Sequence, residues 1–137
     1  MRLSTRGQYG VRAMVHLALN YDKGATSLRE ISEKEGISYQ YLEQIFMDLR
    51  RGSLIKSIRG AKGGYVLVDS PEKVTVGDII RLLEGPIAPV DCVREGEDDN
   101  CEHADRCVSQ NVWKKLRDRI TEVLDEFTLK DLTVNYQ

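Results

Sequence analysis

Little in this chain of 137 residues points to a membrane, a secretion route or an enzyme. The longest apolar run, Ala13 to Leu19, is broken by His16 and falls well short of the roughly 20 residues that cross a bilayer. Met1 to Gly7 has no apolar stretch followed by a small-residue cleavage site. The expected compartment is therefore the cytoplasm, where thiols stay reduced. Histidine is nearly missing: His16 and His103 are the two present, and neither forms a nucleophile-and-base pair. Gly60-Ala61-Lys62-Gly63-Gly64 lacks the strand–helix setting of a phosphate loop. Cysteine is scarcer than a disulfide scaffold needs, with three residues, all between Cys92 and Cys107. An odd count under reducing conditions favours metal ligands or redox groups over disulfides. A chain of this length buries a core without such staples. Internal repeats and low-complexity segments are also absent.

The net charge of −2 conceals a division. Residues 1–75 carry 12 Lys and Arg against 8 Asp and Glu, whereas residues 76–137 carry 8 against 14. A basic first half suits a phosphate-binding surface, and the acidic second half should face away from it. Ordinary surface charge is the plain alternative.

The periodicity predicts a mainly α fold with a small β-wing. A first helix is expected from about Thr5 to Tyr21, opened by a Thr5/Gln8 capping box, with Val11, Met14, Ala18 and Tyr21 at helical spacing. Ser27 and Glu30 form a second box before a short helix that ends at Gly36. Ser38 caps a third helix, Tyr39 to about Arg51, whose buried face is Leu42, Ile45, Phe46 and Leu49 and which stops at Gly52. Two short helices joined through Gly36 make a helix-turn-helix pattern. Leu54 to Ile58 and Tyr65 to Val68 read as strands around a basic, glycine-rich turn, which is a wing. Thr75 opens a helix from Val76 to about Glu84, broken by Gly85-Pro86-Ile87-Ala88-Pro89. A long helix follows from about Ser109 to Phe127, and a short last helix from Leu129 to Tyr136. Trp113, Leu116, Ile120, Val123 and Phe127, widened by Val112 and Leu124, form a near-heptad seam suited to packing on its own domain or, as expected here, on a second subunit. The expected division is a winged helix-turn-helix DNA-binding domain at 1–85, a cysteine-bearing loop at 86–108, and a dimerisation helix with tail at 109–137.

The third helix presents Ser38, Gln40, Tyr41, Glu43 and Gln44 on its outer face. Ser and Gln donate and accept at base edges, and Gln suits adenine in the major groove. Tyr41 reaches a phosphate, and Glu43 accepts from cytosine or rejects wrong sequences. Arg59 and Lys62 tip the wing, where they meet backbone or minor groove. For each residue alone a solvated helix face is the competing reading; the set, on the second helix of the pair with a basic wing behind it, points to double-stranded DNA. In a dimer the two recognition helices read half-sites about one helical turn apart.

Cys92-x8-Cys101-x5-Cys107 lies in an acidic stretch, with seven acids and two arginines from Asp91 to Cys107. Thiolates are soft ligands suited to iron–sulfur clusters and to zinc. The acids do not help thiolate formation, so the metal must supply that stabilisation. His103, Asp91, Glu102 and Asp105 are nearby candidates to complete a shell, zinc on three cysteines and His103 is an alternative, and three unrelated thiols is the plain one.

Three segments carry a specific resemblance: Met1 to Gly10, Ile37 to Phe46, and Ser57 to Tyr65. They are similar to the Rrf-two type family of winged helix-turn-helix transcription regulators, with its IscR-like, NsrR-like and CymR-like branches. The resemblance covers nearly the whole chain. It implies a homodimer crossed through the long helix, base contacts from Ser38, Gln40 and Gln44, Arg59 in the minor groove, and a role for Glu43 in choosing operator class. It implies that Cys92, Cys101 and Cys107 hold an iron–sulfur cluster, two-iron favoured over four-iron. The fourth ligand stays open: the position of the IscR-like histidine is Gln110, the acidic position at the start of the first helix is Gln8, and His103 is closest in sequence. Gly85 to Val90 looks most like the CymR-like branch, which lacks these cysteines. The implied function is a cluster-sensing, sequence-specific regulator, expected to be a repressor, of iron–sulfur assembly, iron, cysteine or nitrosative-stress genes. Rival readings are a zinc- or thiol-based redox regulator, an iron–sulfur carrier, and a partner-interaction protein. No enzyme activity and no membrane partner are expected.

Overall fold

The computed structural model describes residues 3–95 and 108–136. Six helices and one hairpin occur there: α1 (Thr5–Leu19), α2 (Leu28–Glu35), α3 (Tyr39–Arg51), β1 (Ile55–Ile58), β2 (Gly64–Leu67), α4 (Val76–Glu84), α5 (Gln110–Glu126) and α6 (Leu129–Val134). Short 3-10 turns add Pro71–Lys73 and Asp91–Val93. The winged helix-turn-helix arrangement is present, and α4 leads from it to the long α5.

Local signals explain most boundaries. Ser38 accepts the Tyr41 N–H at 3.1 Å and starts α3, and Gly36 ends α2 at φ 67°, where a side chain is strained. Thr75 and Asp78 close a reciprocal capping box on α4, and Thr128 with Asp131 repeats it on α6. Other expectations need correction. α1 is capped by Ser4, whose hydroxyl accepts the Gly7 N–H, so Gln8 lies outside the box and donates to the Leu3 carbonyl instead. Ser27 accepts the Glu30 N–H, but the Glu30 carboxylate takes the Lys34 ammonium at 2.9 Å, one turn on. α1 stops at Leu19, and the exposed Tyr21 is past its end. Beyond α3 it is Ser53, at φ 63°, that turns left-handed; Gly52 has φ −81° and is small because Leu82 lies on it.

The core gathers Met14 and Leu17 of α1, Ile31 of α2, Leu42, Ile45, Phe46 and Leu49 of α3, Ile55 and Leu67 of the hairpin, and Ile79 of α4. Burying each such side chain contributes roughly 1.5–3 kcal/mol. Phe46 meets the Tyr65 ring edge-on at 5.0 Å between centroids, which seats the wing on α3. The hairpin pairs antiparallel, Ile55 with Leu67 through Ile58 with Gly64. Its root is stitched ahead of α2: Thr26 and Tyr65 exchange backbone hydrogen bonds of 3.0 and 2.8 Å. Leu129 is fully buried in this same core, so α6 folds back beside α1. A backbone bridge between Thr75 and Thr128 ties the start of α4 to the start of α6.

Candidate nucleic-acid interface and cysteine segment

α3 turns Leu42, Ile45, Phe46 and Leu49 inward and leaves Ser38, Gln40, Glu43 and Gln44 exposed. Because the Ser38 oxygen accepts the capping N–H, its hydroxyl proton is still available to donate outward. Tyr41 is half-buried, held edge-on against Tyr9 at 5.8 Å, and the Arg12 guanidinium stands over the Tyr9 ring at 5.4 Å. Sequence reasoning missed Tyr9 as the support under Tyr41, since the two rings lie on different helices. Arg12 and the buried His16 both bond Glu35, at 2.6 and 2.8 Å, which fastens α1 to the end of α2. Burial pushes the Glu35 carboxyl up, but the His16 and Arg12 hydrogen bonds outweigh it and hold the group below the usual range.

Arg59 and Lys62 are exposed on the loop joining β1 to β2. The loop closes through the Gly63 N–H on the Gly60 carbonyl at 3.0 Å, with Gly60 at φ 115°. A side chain at Gly63 would collide with the Ile58 carbonyl. A recognition face of hydroxyl and amide groups, with a basic wing packed on the same helix, is suited to bases and phosphates.

Of the three cysteines, Cys92 is described; it is a half-buried free thiol on the 3-10 turn that packs against α5. Cys101, Cys107 and His103, with Glu102 and Asp105, lie outside the described residues. Among the described residues no group of three His, Cys, Asp or Glu side chains could hold a metal. Gln8 is exposed in the first turn of α1. Gln110, the first residue of α5, is buried, and its Nε2 has no hydrogen-bond partner among the described residues. An amide N–H donates and does not ligate, so the fit to an iron–sulfur centre rests on the three thiolates, soft donors of the kind it takes.

The segment before these cysteines is fixed by groups that sequence reasoning missed. The Arg81 guanidinium forks onto Glu95 at 2.6 and 2.8 Å and onto Asp125 of α5 at 2.8 and 2.7 Å. Its hydrogen bonds hold both carboxyls below their ordinary range against the effect of burial, and they raise the guanidinium further still. Arg117 donates to the Val93 carbonyl at 3.3 Å, and Glu95 N–H donates to the Ile87 carbonyl at 3.2 Å. α5 thus turns Arg117, Thr121 and Asp125 toward its own domain. Of its apolar stripe, Trp113, Ile120 and Leu124 are half-buried, whereas Val112, Leu116, Val123 and Phe127 are 58, 41, 53 and 44% exposed. No helix among the described residues is long and apolar enough to cross a membrane.

Known proteins agree with this architecture. The global cysteine regulator CymR of B. subtilis has a solved structure that superposes at TM-score 0.82, with 44% identity, over 100% of this chain and 99% of that one. The T. potens IscR structure gives TM-score 0.80 and 40% identity, covering 100% of this chain and 89% of that one. By sequence, the transcriptional regulator IscR of Pectobacterium carotovorum is 41% identical over 136 residues, 98% of this chain and 80% of the relative. These relatives are transcription regulators rather than enzymes. The Rrf2 profile, described as an iron-dependent transcriptional regulator, matches residues 3–135. The chain therefore belongs to the Rrf2 family of DNA-binding transcriptional regulators.

Proposed function

We propose that this regulator is a homodimer that reads a pseudo-palindromic operator and adjusts its grip through an iron–sulfur cluster held by Cys92, Cys101 and Cys107. The observation that carries the reading is the position of the thiols along the sequence. All three lie between α4, which packs on the recognition helix, and α5, whose apolar stripe is partly exposed. Ser38, Gln40 and Gln44 contact bases, Tyr41 and Lys62 contact backbone, Arg59 enters the minor groove, and Glu43 discriminates between operators. The units are 1–85 for DNA, 86–108 for the cluster and 109–137 for pairing. Cys92, Cys101 and Cys107 would hold the cluster, two-iron favoured, and their thiolates would be joined through it. The fourth ligand stays open among Gln8, His103 and Gln110, and Gln8 already donates to the Leu3 carbonyl. The pairing surface is the exposed part of the α5 stripe, because apolar side chains grouped on the outer face of a helix call for a partner. Loss of the cluster to oxygen, nitric oxide or iron shortage then changes operator affinity. Genes of iron–sulfur assembly, iron or cysteine supply, or nitrosative stress are the expected targets, under repression, in the cytoplasm.

The test is anaerobic purification with iron, sulfide and visible absorbance measured per chain, followed by operator footprinting under nitrogen and under air. Bound iron and sulfide with gas-dependent occupancy support the reading. A colourless protein, or a triple Cys→Ser variant that footprints identically in both atmospheres, removes the sensor. Zinc in place of iron would turn the reading to a zinc- or thiol-based regulator.

A further inference from the structure

We propose that Arg81 is the positioning residue that couples the Cys92-bearing segment to the recognition helix. This rests on the cluster-sensing reading above. α4 holds one basic residue, Arg81, and its fork joins three elements that are far apart in sequence. One edge grips Glu95, three residues beyond Cys92, and the other grips Asp125 near the end of α5. Neighbouring hydroxyls complete the site, with Thr121 donating to Glu95 and Thr75 to Asp125, each at 3.4 Å. Asp78 stands 3.9 Å from the same guanidinium. At Gly77 any side chain would strike Asp125 and crowd Arg81, so α5 sits directly on the start of α4.

The next two residues of the same helical turn reach the other neighbours of α4. Leu82 lies on Gly52 at the end of α3, and Leu83 lies on Gly10 of α1, beside Ile45 of α3. A shift of α4 is therefore felt at the recognition helix through packed side chains, which move as bodies and do not compress. Three carboxylates converge on one guanidinium. Without the fork, Glu95 and Asp125 repel each other, and Glu95 has every reason to leave. The Glu95 N–H bond to Ile87 then depends on the loop alone. A lysine keeps the charge at this position but cannot span two carboxylates bidentately.

The experiment compares wild type with Glu95→Gln and Arg81→Lys. The probe is a duplex selected by the wild-type protein from a random library, and affinity is measured by anisotropy for cluster-loaded and cluster-free protein. Iron and sulfide per chain are measured alongside. Loaded and free wild type should differ by about tenfold or more. Both variants should narrow that ratio to about threefold or less with cluster content unchanged. In the cluster-free state, exchange of the Glu95 amide hydrogen should accelerate about fivefold in Arg81→Lys, a change that does not involve DNA. Glu95→Gln changes one half-buried partner outside the hydrophobic core, so its ratio is readable even if Arg81→Lys folds poorly. Variants that keep the wild-type ratio, or that lose the cluster itself, overturn the coupling role and leave the sensor standing. A wild type without cluster or without a ratio removes the sensor, and this inference with it.

Discussion

Arg59 stands exposed on the wing loop, away from the core, so its contribution should be to binding and not to folding. Arg59→Ala is expected to cost about 1–3 kcal/mol of operator affinity with an unchanged melting temperature; titration and thermal denaturation of the same preparation check both halves. Phe46 is the opposite case. It is fully buried against Tyr65, and Phe46→Ala should cost about 3–5 kcal/mol in urea unfolding. Glu35 gives a pH signature. Its carboxyl is held below the ordinary value in the folded state, so its contribution is full above the unfolded pKa and fades as pH falls through the folded one. The stability gap between wild type and Glu35→Gln should therefore be open near neutrality and close on the acid side, below about pH 4; melting temperatures across that range decide it. At this scale, residues whose role is local were legible. Ser38 announces itself by standing before an apolar helical pattern, whereas Ser4, Glu84 and Arg81 do not. The Ser4 N–H finds the Glu84 carboxylate at 2.6 Å across eighty positions of sequence, and no spacing rule reaches that far.

α5 shows how an element can be read correctly and still hold a surprise. Its apolar spacing was plain, but the expected seam divides between exposed Val112, Leu116, Val123 and Phe127 and half-buried Trp113, Ile120 and Leu124. What periodicity could not say is which stripe the domain itself would use. The polar one, Arg117, Thr121 and Asp125, faces inward because Arg81, Glu95 and the Val93 carbonyl are there to meet it. A charge placed in the outer stripe therefore disturbs little of the single chain. Val123→Glu should turn the proposed dimer into a monomer in sedimentation while leaving helical content intact. Neither expected capping box, Thr5 with Gln8 or Ser27 with Glu30, closes, and the two that do were not read as boxes. Thr75 with Asp78 closes reciprocally, but Ser27 with Glu30 does not, because Lys34 offers that carboxylate a charged partner one turn later. The cysteine trio was found by composition; its geometry was not, since Cys101 and Cys107 lie outside the described residues.

Across the molecule, α6 returns to the N-terminal core, with Leu129 buried there and the Tyr136 ring edge-on to His16 at 5.5 Å. The end of α5 is thereby tied to α1 and α4. The wing is equally bound, since Thr26 and Tyr65 bridge its root to the turn ahead of α2 while Phe46 holds it from beneath. Each half of a dimer would then carry its helix and wing as a single stamp with no internal play. Such a stamp cannot be re-cut by a signal, only moved closer to or farther from its twin. Operators lengthened by one base pair, about 3.4 Å, should separate the two signalling states more sharply than any exchange of bases inside a half-site.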